Sequence, residues 1–306
     1  MPAIDGSASV DRMKQALPIV PAQALDAPTA PFVGLDTLWI QLTGTWCNLE
    51  CTHCLNASGP RDPWLKPLAP AVVRAAIADA ERLGVREIYF TGGEPFLHAE
   101  ALSLIGESLA VAATTVLTNG TLVTDDVADA LGALARSSRY SLEIRVSLDD
   151  IEETVNDAIR GAGAWAAALG AVARLVARGL LPIVTATDVT AASVSGRYER
   201  LRDFLMARGV PRPRVKLMPT FALGRHGVGS GERLTETALD GFDRTTLQCS
   251  RARVVADGGV YACPILAGLD GARLSPGSLE AAFRPAALYH PACVTCHQTG
   301  MTCANG

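Results

Sequence analysis

The chain has 306 residues, of which 49% are hydrophobic and 19% are charged, an ordinary balance for a globular protein. This length allows one large core, or one large domain with a small appendage. The net charge of −4 gives no electrostatic footprint for nucleic acid or an anionic membrane. The sequence contains no run of about 18 apolar residues, the length that a membrane-spanning helix needs. We therefore expect a protein that binds neither nucleic acid nor membrane.

The N-terminal residues, 1–34, are rich in Ala and Pro and are expected to form a flexible arm with one short helix near residues 10–16. The arm is too short for an independent recognition domain, and it lacks the basic-then-apolar pattern of a secretory signal. The cytosol is therefore the expected location. Eight cysteines in a cytosolic protein indicate metal or redox chemistry rather than structural disulfides.

From Leu35 onward, apolar strand patterns alternate with helical patterns. The predicted helices cover residues 69–83, 98–111, 124–136, 164–178 and 195–208, and the predicted strands cover residues 36–42, 86–91, 113–118, 141–148, 182–187 and 213–218. Strands that alternate with helices of this length indicate βαβ units and a parallel sheet. Six strands are too few for a complete eight-stranded barrel.

The character of the sequence changes near residue 226. Residues 226–236 are Gly-rich and are expected to form a linker, and five cysteines follow within 55 residues. The segments between these cysteines have too few apolar residues to form a hydrophobic core without a stabilising crosslink such as a bound metal. We therefore predict three parts: the arm at 1–34, an α/β domain at 35–225, and a linker with a small metal-organised module at 226–306.

One loop after the first predicted strand holds three cysteines, in the order Cys47-Asn-Leu-Glu-Cys51-Thr-His-Cys54. Three thiolates on one tight loop can hold three corners of a cubane iron–sulfur cluster and leave one iron open for a small molecule, as in catalytic metal sites. The alternatives are a disulfide loop, which the cytosolic location disfavours, and a zinc site completed by His53. Since His53 is adjacent to Cys54, the two side chains would rarely reach the same ion with good geometry.

This loop resembles the signature of the radical S-adenosylmethionine (SAM) superfamily, C-x3-C-x-aromatic-C, with His53 in the aromatic position. The resemblance implies a [4Fe-4S] cluster whose open iron chelates the amino and carboxylate groups of SAM. An electron from an external reductant, such as flavodoxin or ferredoxin, would then cleave SAM to a 5′-deoxyadenosyl radical that abstracts a substrate hydrogen. It also implies a partial (β/α)6 barrel with its active site at the carboxyl ends of the strands.

The ends of the second and third predicted strands carry further parts of this pattern. Gly92, Gly93 and Glu94 precede a proline, and the resemblance implies that this motif contacts the amino group of SAM. An ordinary β-to-α turn is the alternative. Asn119, in a Thr-Asn-Gly turn, resembles a segment that supports the cofactor pocket, although a turn uses the same residues.

The ends of the fourth and sixth predicted strands resemble segments of the SPASM-bearing branch of the superfamily. There the resemblance implies that Ser147 hydrogen-bonds the cofactor, that Arg160 pairs with its carboxylate, and that Asp149 belongs to the same segment. The family usually has Gly where this chain has Asp150. The alternatives are a surface helix charge for Arg160 and an N-cap for Asp149. Met218 is expected to pack against the adenine, or else to belong to the core.

The C-terminal cysteines form a second group. Asp257-Gly-Gly predicts a hairpin turn that brings Cys249 and Cys263 together. Cys293 and Cys296 form a C-x2-C knuckle, with Cys303 as an alternative ligand. The group resembles a SPASM domain or its shortened twitch form and implies one closed auxiliary [4Fe-4S] cluster. A four-cysteine zinc ribbon is the rival interpretation.

The sequence thus favours a radical SAM oxidoreductase or maturase, with the auxiliary cluster as electron acceptor. The alternative is a non-catalytic iron–sulfur or zinc protein that carries electrons or binds a partner. The substrate is expected to be a small molecule or a peptide, the latter with a stand-alone recognition protein. No residue in the sequence identifies the acid/base group.

Overall fold

The computed structural model describes residue 24 and residues 26–188, 196–227 and 231–300. Six parallel strands follow one another across the sheet in chain order. They are β2 (Thr37–Gln41), β3 (Glu87–Thr91), β4 (Ala113–Thr118), β5 (Leu142–Ser147), β6 (Ile183–Asp188) and β7 (Arg214–Pro219). Each boundary lies within one residue of its predicted position, and the predicted partial α/β barrel is confirmed.

Helices connect these strands on the outer side of the sheet. They are α1 (Pro70–Leu83), α2 (Ala101–Leu109), α3 (Asp125–Ser137), α4 (Glu153–Arg160), α5 (Ala164–Ala177) and α6 (Arg197–Ala207). Only α4 was not predicted, because this short helix buries Asn156 and Arg160 instead of an apolar stripe. The helix expected at residues 10–16 lies outside the described residues.

The C-terminal region extends the same sheet. The predicted hairpin is present as β8 (Ala252–Ala256) and β9 (Gly259–Tyr261), and β10 (Arg273–Ser275) pairs with β9. Strand β8 pairs in parallel with β2, on the edge opposite β3, so the sheet has nine strands within the described residues. The proposed domain boundaries remain predictions, and the sheet continues across the one at residue 226.

Two shorter elements complete this region. Strand β1 (Thr29–Ala30), from the expected N-terminal arm, pairs antiparallel with β11 (Ala286–Ala287). The C-x2-C segment lies in a helix, α7 (Pro291–Thr299), rather than in a loop knuckle.

Alternation along the strands gives the sheet two different faces. Leu38 and Ile40 point into an apolar cluster that includes residues of the outer helices, whereas Trp39 belongs to a second cluster with Tyr89 and residues of the C-terminal region. The stacked rings of Trp39 and Tyr89 lie 4.2 Å apart between centroids. The C-terminal region therefore packs against the inner face of the barrel, next to the strand ends.

Within the described residues, no single helix is long and apolar enough to cross a membrane. Helices α4 and α5 reach that length and composition only as a pair, and the chain bends by 104° between them.

Candidate active site at the strand ends

A cavity of about 250 Å³ opens at the carboxyl ends of the parallel strands. Parallel strands end at the same edge, so side chains from distant parts of the chain meet there. Of the residues predicted for the radical SAM site, those that line the cavity are Cys47, Cys51, His53, Cys54, Gly92, Gly93, Asn119, Ser147, Arg160 and Met218. Glu94 and Asp149 do not line it.

The cysteine loop rests directly on the Gly-Gly turn after β3. A Cβ atom at Gly93 would lie 2.0 Å from the carbonyl oxygen of Trp46, and one at Gly92 would lie 2.4 Å from Oγ1 of Thr43. The φ angle of Gly92 is +141°, which other residues rarely adopt. The two glycines therefore allow close contact with the cysteine loop itself.

Hydrogen-bond donors surround the thiols of this loop. The Leu49 N–H donates to Sγ of Cys47 at 3.4 Å, and the Ser58 N–H donates to Sγ of Cys54 at 3.3 Å. Nδ2 of Asn119 donates to Sγ of Cys47 at 3.7 Å. Burial raises the pKa of Cys47 to about 12 and also raises the pKa of Cys51. Iron must therefore displace protons on binding, and these donors favour the resulting sulfur charge. Three free thiols in this setting fit a cluster with three protein ligands.

Asp149 is buried behind the cavity lining, where its carboxylate contacts three neighbouring residues. Its Oδ2 atom lies 2.7 Å from Nε2 of His53 and 2.6 Å from Nε of Arg160, and its Oδ1 accepts the N–H of Thr187 at 2.7 Å. Burial alone would raise the pKa of Asp149, but Arg160 and His53 outweigh it and hold the pKa well below its usual range. The carboxylate thus fixes two cavity-lining side chains.

These contacts decide two of the alternatives raised by the sequence. Arg160 is buried, so it is not a surface helix charge. The N-cap of α4 is Glu152, so Asp149 does not cap that helix. Because Arg160 pairs with Asp149, its expected pairing with the SAM carboxylate stays a prediction for its other N–H groups.

Glu94 links the ends of β3 and β4. Its Oε2 accepts the N–H of Asn119 at 2.7 Å, and its Oε1 accepts the Thr118 hydroxyl at 2.8 Å and the Phe96 N–H at 3.2 Å. The side chain is fully buried, and burial raises the pKa of Glu94 to about 7 despite these donors. The carboxylate holds Asn119 in place beside Cys47.

The cavity lining also contains residues that the sequence reasoning missed. They include Trp39, Arg145 and Thr185, and Arg145 is only 2% exposed. A charged residue in the middle of the otherwise strand-like segment Leu-Glu-Ile-Arg-Val-Ser was the available signal.

The C-terminal cysteines surround a smaller cavity of about 30 Å³. Its lining contains Cys249, Cys263, Cys293 and Cys296, together with apolar residues such as Ile265 and Leu266. Burial raises the pKa of Cys249, Cys263 and Cys293. Four thiols around one small apolar space fit a closed cluster. Cys303 lies outside the described residues, and within those residues no three His, Cys, Asp or Glu side chains are placed to hold a single metal ion.

The comparisons with known proteins agree with this geometry. The family model of the radical SAM superfamily matches residues 42–194, which is half of the chain. The chain belongs to the radical SAM superfamily. It is therefore an enzyme that uses a [4Fe-4S] cluster and SAM.

Two groups of curated relatives are similar to this chain. The mycofactocin maturase MftC of Mycobacterium tuberculosis is 33% identical over 150 residues, which cover 49% of this chain and 37% of the maturase. The probable GTP 3′,8-cyclase of Halobacterium salinarum is 28% identical over 183 residues, which cover 58% of this chain and 49% of that protein. The chain thus spans less than half the length of these relatives.

Solved structures show the same fold at low identity. The enzyme anSMEcpe with bound AdoMet superposes with a TM-score of 0.59 at 16% identity, covering 81% of this chain and 77% of that one. SuiB of Streptococcus suis gives a TM-score of 0.57 at 14% identity, covering 84% and 67% respectively. The family and its named relatives are enzymes, so the non-catalytic alternative has no support.

Proposed function

We propose that this enzyme generates a substrate radical on a peptide or a small molecule and oxidises it with the help of an auxiliary cluster. The observation that carries the proposal is the set of three loop cysteines, Cys47, Cys51 and Cys54, which line one cavity with the Gly-Gly turn. Among the described residues no fourth cysteine lines this cavity. When the cluster and SAM are bound, the chemistry they supply is the reductive cleavage of SAM to a 5′-deoxyadenosyl radical, which abstracts a hydrogen atom from the substrate.

The residues around the cavity have distinct roles in this proposal. Cys47, Cys51 and Cys54 hold the cluster, with the Asn119 amide stabilising the Cys47 sulfur. Arg160 uses its Nε toward Asp149 and offers its remaining N–H groups to the SAM carboxylate, since a guanidinium binds carboxylates with two N–H groups at once.

The other predicted contacts come from the remaining strand ends. Ser147 hydrogen-bonds SAM, Met218 packs against its adenine, and the Gly92–Gly93 turn faces its amino group; all four residues line the cavity. Glu94 is buried behind this lining, so we propose that it acts on the cofactor by holding Asn119 rather than by direct contact.

The substrate occupies the inner part of the cavity in this proposal. Nε1 of Trp39 and Oγ1 of Thr185 have no hydrogen-bond partner in the described part of the chain, although both atoms are buried. A polar substrate group would satisfy them, which favours a ligand at this depth. The relatives are named for a maturation and for a GTP cyclisation, so both a peptide and a small molecule remain proposed substrate classes.

The proposal includes an auxiliary [4Fe-4S] cluster in a SPASM or twitch-like module. Cys249, Cys263, Cys293 and Cys296 converge on one small cavity, and a cluster closed by four thiolates has no open iron for substrate. In this proposal such a cluster would accept the electron that the substrate radical loses during an oxidation.

The proposed partners follow from this chemistry. A flavodoxin or ferredoxin supplies the reducing electron, and a stand-alone recognition protein presents the substrate if it is a peptide. All seven cysteines in the described residues are free thiols, which suits the reducing conditions of the cytosol.

The experiment combines Cys47→Ala, Cys51→Ala and Cys54→Ala in one chain. Reconstituted, reduced wild-type protein should convert SAM to 5′-deoxyadenosine, and the triple variant should not. Iron content should fall by about four per chain and not to zero, because the auxiliary cluster stays. Undiminished 5′-deoxyadenosine formation by the triple variant contradicts the proposed function.

A further inference from the structure

Arg253 is a buried cation at the centre of the C-terminal region. It lies in β8, four residues after Cys249, and its side chain is 0% exposed. Within the described residues, the hydrogen bonds of the guanidinium go to main-chain carbonyls. Nε donates to Ala282 at 2.8 Å, Nη1 to Cys249 and Ala252 at 2.6 Å each, and Nη2 to Arg284 at 2.7 Å.

Two aromatic side chains lie next to the Arg253 guanidinium. The guanidinium carbon of Arg253 lies 4.2 Å from the ring centroid of Phe32, and that ring stacks on Phe283 at 4.7 Å. The contact is a cation–π interaction, and it also keeps water away from the charge. The positive charge is therefore held in a medium where its field is weakly screened.

No carboxylate balances this charge within the part of the chain that the structure describes. Burial lowers the pKa of Arg253, and Arg284 adds to this effect, whereas Cys249 and Cys263 in their thiolate form oppose it. A buried charge is costly unless it is paired, and carbonyl dipoles offset only part of that cost. Since an arginine side chain is not deprotonated in proteins, the two cysteines would supply a negative partner among the described residues once they are thiolate ligands of a cluster.

We propose that Arg253 is the counter-charge of the auxiliary iron–sulfur cluster and raises its reduction potential. This inference rests on the auxiliary cluster of the proposed function. A cubane with four thiolate ligands carries a net negative charge, and one-electron reduction makes it more negative. A fixed positive charge beside Cys249 and Cys263 stabilises the reduced state more than the oxidised state, and cluster potentials respond to such local charge.

The consequence is an auxiliary cluster that accepts an electron more readily. In a substrate oxidation such a cluster would take up the one electron that the substrate radical loses. Arg253 is not among the residues that line the active-site cavity, so it is a positioning residue that would act through the cluster.

The test measures the potential of the auxiliary cluster alone. The background is the full chain with Cys47, Cys51 and Cys54 replaced by Ala, and the probe is an EPR-monitored redox titration. Arg253→Gln should lower the ratio of reduced to oxidised cluster at a fixed applied potential at least tenfold, which corresponds to a downward shift of about 59 mV for one electron. Arg253→Lys keeps the charge and should keep the potential.

Arg251→Gln is the matched control. It removes a positive charge two residues away, but Arg251 is exposed and pairs with Asp36 at 2.9 Å. Its potential should match that of the background, because solvent screens the lost charge.

The outcomes separate the two levels of the proposal. Absence of iron in the background protein contradicts the auxiliary cluster itself. A retained cluster with the same potential in Arg253→Gln overturns only the role of Arg253. If Arg253→Gln and Arg253→Met both fail to hold iron while Arg253→Lys holds it, the charge is needed and the proposal stands. Loss of iron in all three variants shows a hydrogen-bonding role alone and overturns it.

Discussion

The Nε atom of Arg160 lies 2.6 Å from Oδ2 of Asp149, which ties the end of α4 to the end of β5 behind the cysteine loop. The same carboxylate oxygen lies 2.7 Å from Nε2 of His53, inside the C-x3-C-x2-C motif. The position between the second and third cysteines is therefore anchored to the barrel. The loop is held by this hydrogen bond on one side and by the Gly-Gly turn on the other.

Replacing Asp149 by Asn should destabilise the protein strongly. Asp149 is fully buried, so the change leaves the buried Arg160 charge without its partner. Breaking a buried ion pair in this way typically costs about 3–5 kcal/mol. Urea denaturation measures the loss. Asp150→Asn is the control, because that carboxylate accepts the Glu152 N–H near the surface and pairs with no buried cation in the described part of the chain. Equal losses of unfolding free energy in the two variants would contradict the proposed role of Asp149 as the partner of Arg160.

Gly93→Ala should prevent the cysteine loop from settling on the sheet. The added Cβ would lie 2.0 Å from the Trp46 carbonyl oxygen, and backbone must move to relieve the contact. Overpacking of this kind costs roughly 1–3 kcal/mol or more, and here it displaces the residue before Cys47. Iron content after reconstitution should fall, while circular dichroism remains that of a folded chain. Gly34→Ala, with no neighbour within 4 Å, should bind iron normally. Full iron loading of Gly93→Ala would argue against this contact.

Glu94 predicts a pH dependence of stability. Its pKa is raised by burial to about 7 in the folded chain, whereas an unfolded glutamate has a pKa of about 4.3. The folded state binds the proton more tightly, so this contribution is complete below the unfolded pKa and is lost as the pH rises through about 7. The stability difference between wild type and Glu94→Gln should therefore fall by about 1 kcal/mol from about pH 6 to pH 8.

Urea denaturation of the SAM-free protein at several pH values measures this difference. The exposed variant Glu81→Gln should follow the wild type at each pH. If the unfolding free energies of the wild type and of Glu94→Gln change in parallel over the whole pH range, the raised pKa of Glu94 is contradicted.

Replacing Cys249 and Cys263 by Ala should remove the auxiliary cluster alone. Iron should fall by about four per chain, the thermal midpoint should drop because metal binding stabilises this module, and 5′-deoxyadenosine should still form. Cys303→Ala is the matched control for the choice of ligands and should retain all iron. Loss of iron in Cys303→Ala, or zinc alone at these cysteines, would be evidence for a different ligand set.

The sequence predicted most of the fold because the strands and outer helices follow simple periodicity. It missed α4, whose buried residues are Asn156 and Arg160. The pairing of Thr37 with Ala252 was also missed, because an edge contact between distant segments leaves no local pattern. The spacing of the motifs predicted that the loop cysteines and the Gly-Gly turn lie at the carboxyl ends of the strands. It could not show that Glu94 and Asp149 turn away from the cavity to bind neighbouring loops, since side-chain direction after a strand depends on tertiary contacts.

The pairing of β8 with β2 has a consequence for synthesis of the chain. Strand β2 leaves the ribosome before the other described strands of this sheet, yet one of its two neighbours lies more than 200 residues later. Strands β2 to β7 can associate in the order in which they emerge, whereas one edge of β2 keeps free N–H and C=O groups until residues 252–256 are made. An unpaired edge is prone to bind other chains. The nascent protein is therefore most vulnerable to aggregation between the appearance of β3 and the appearance of β8.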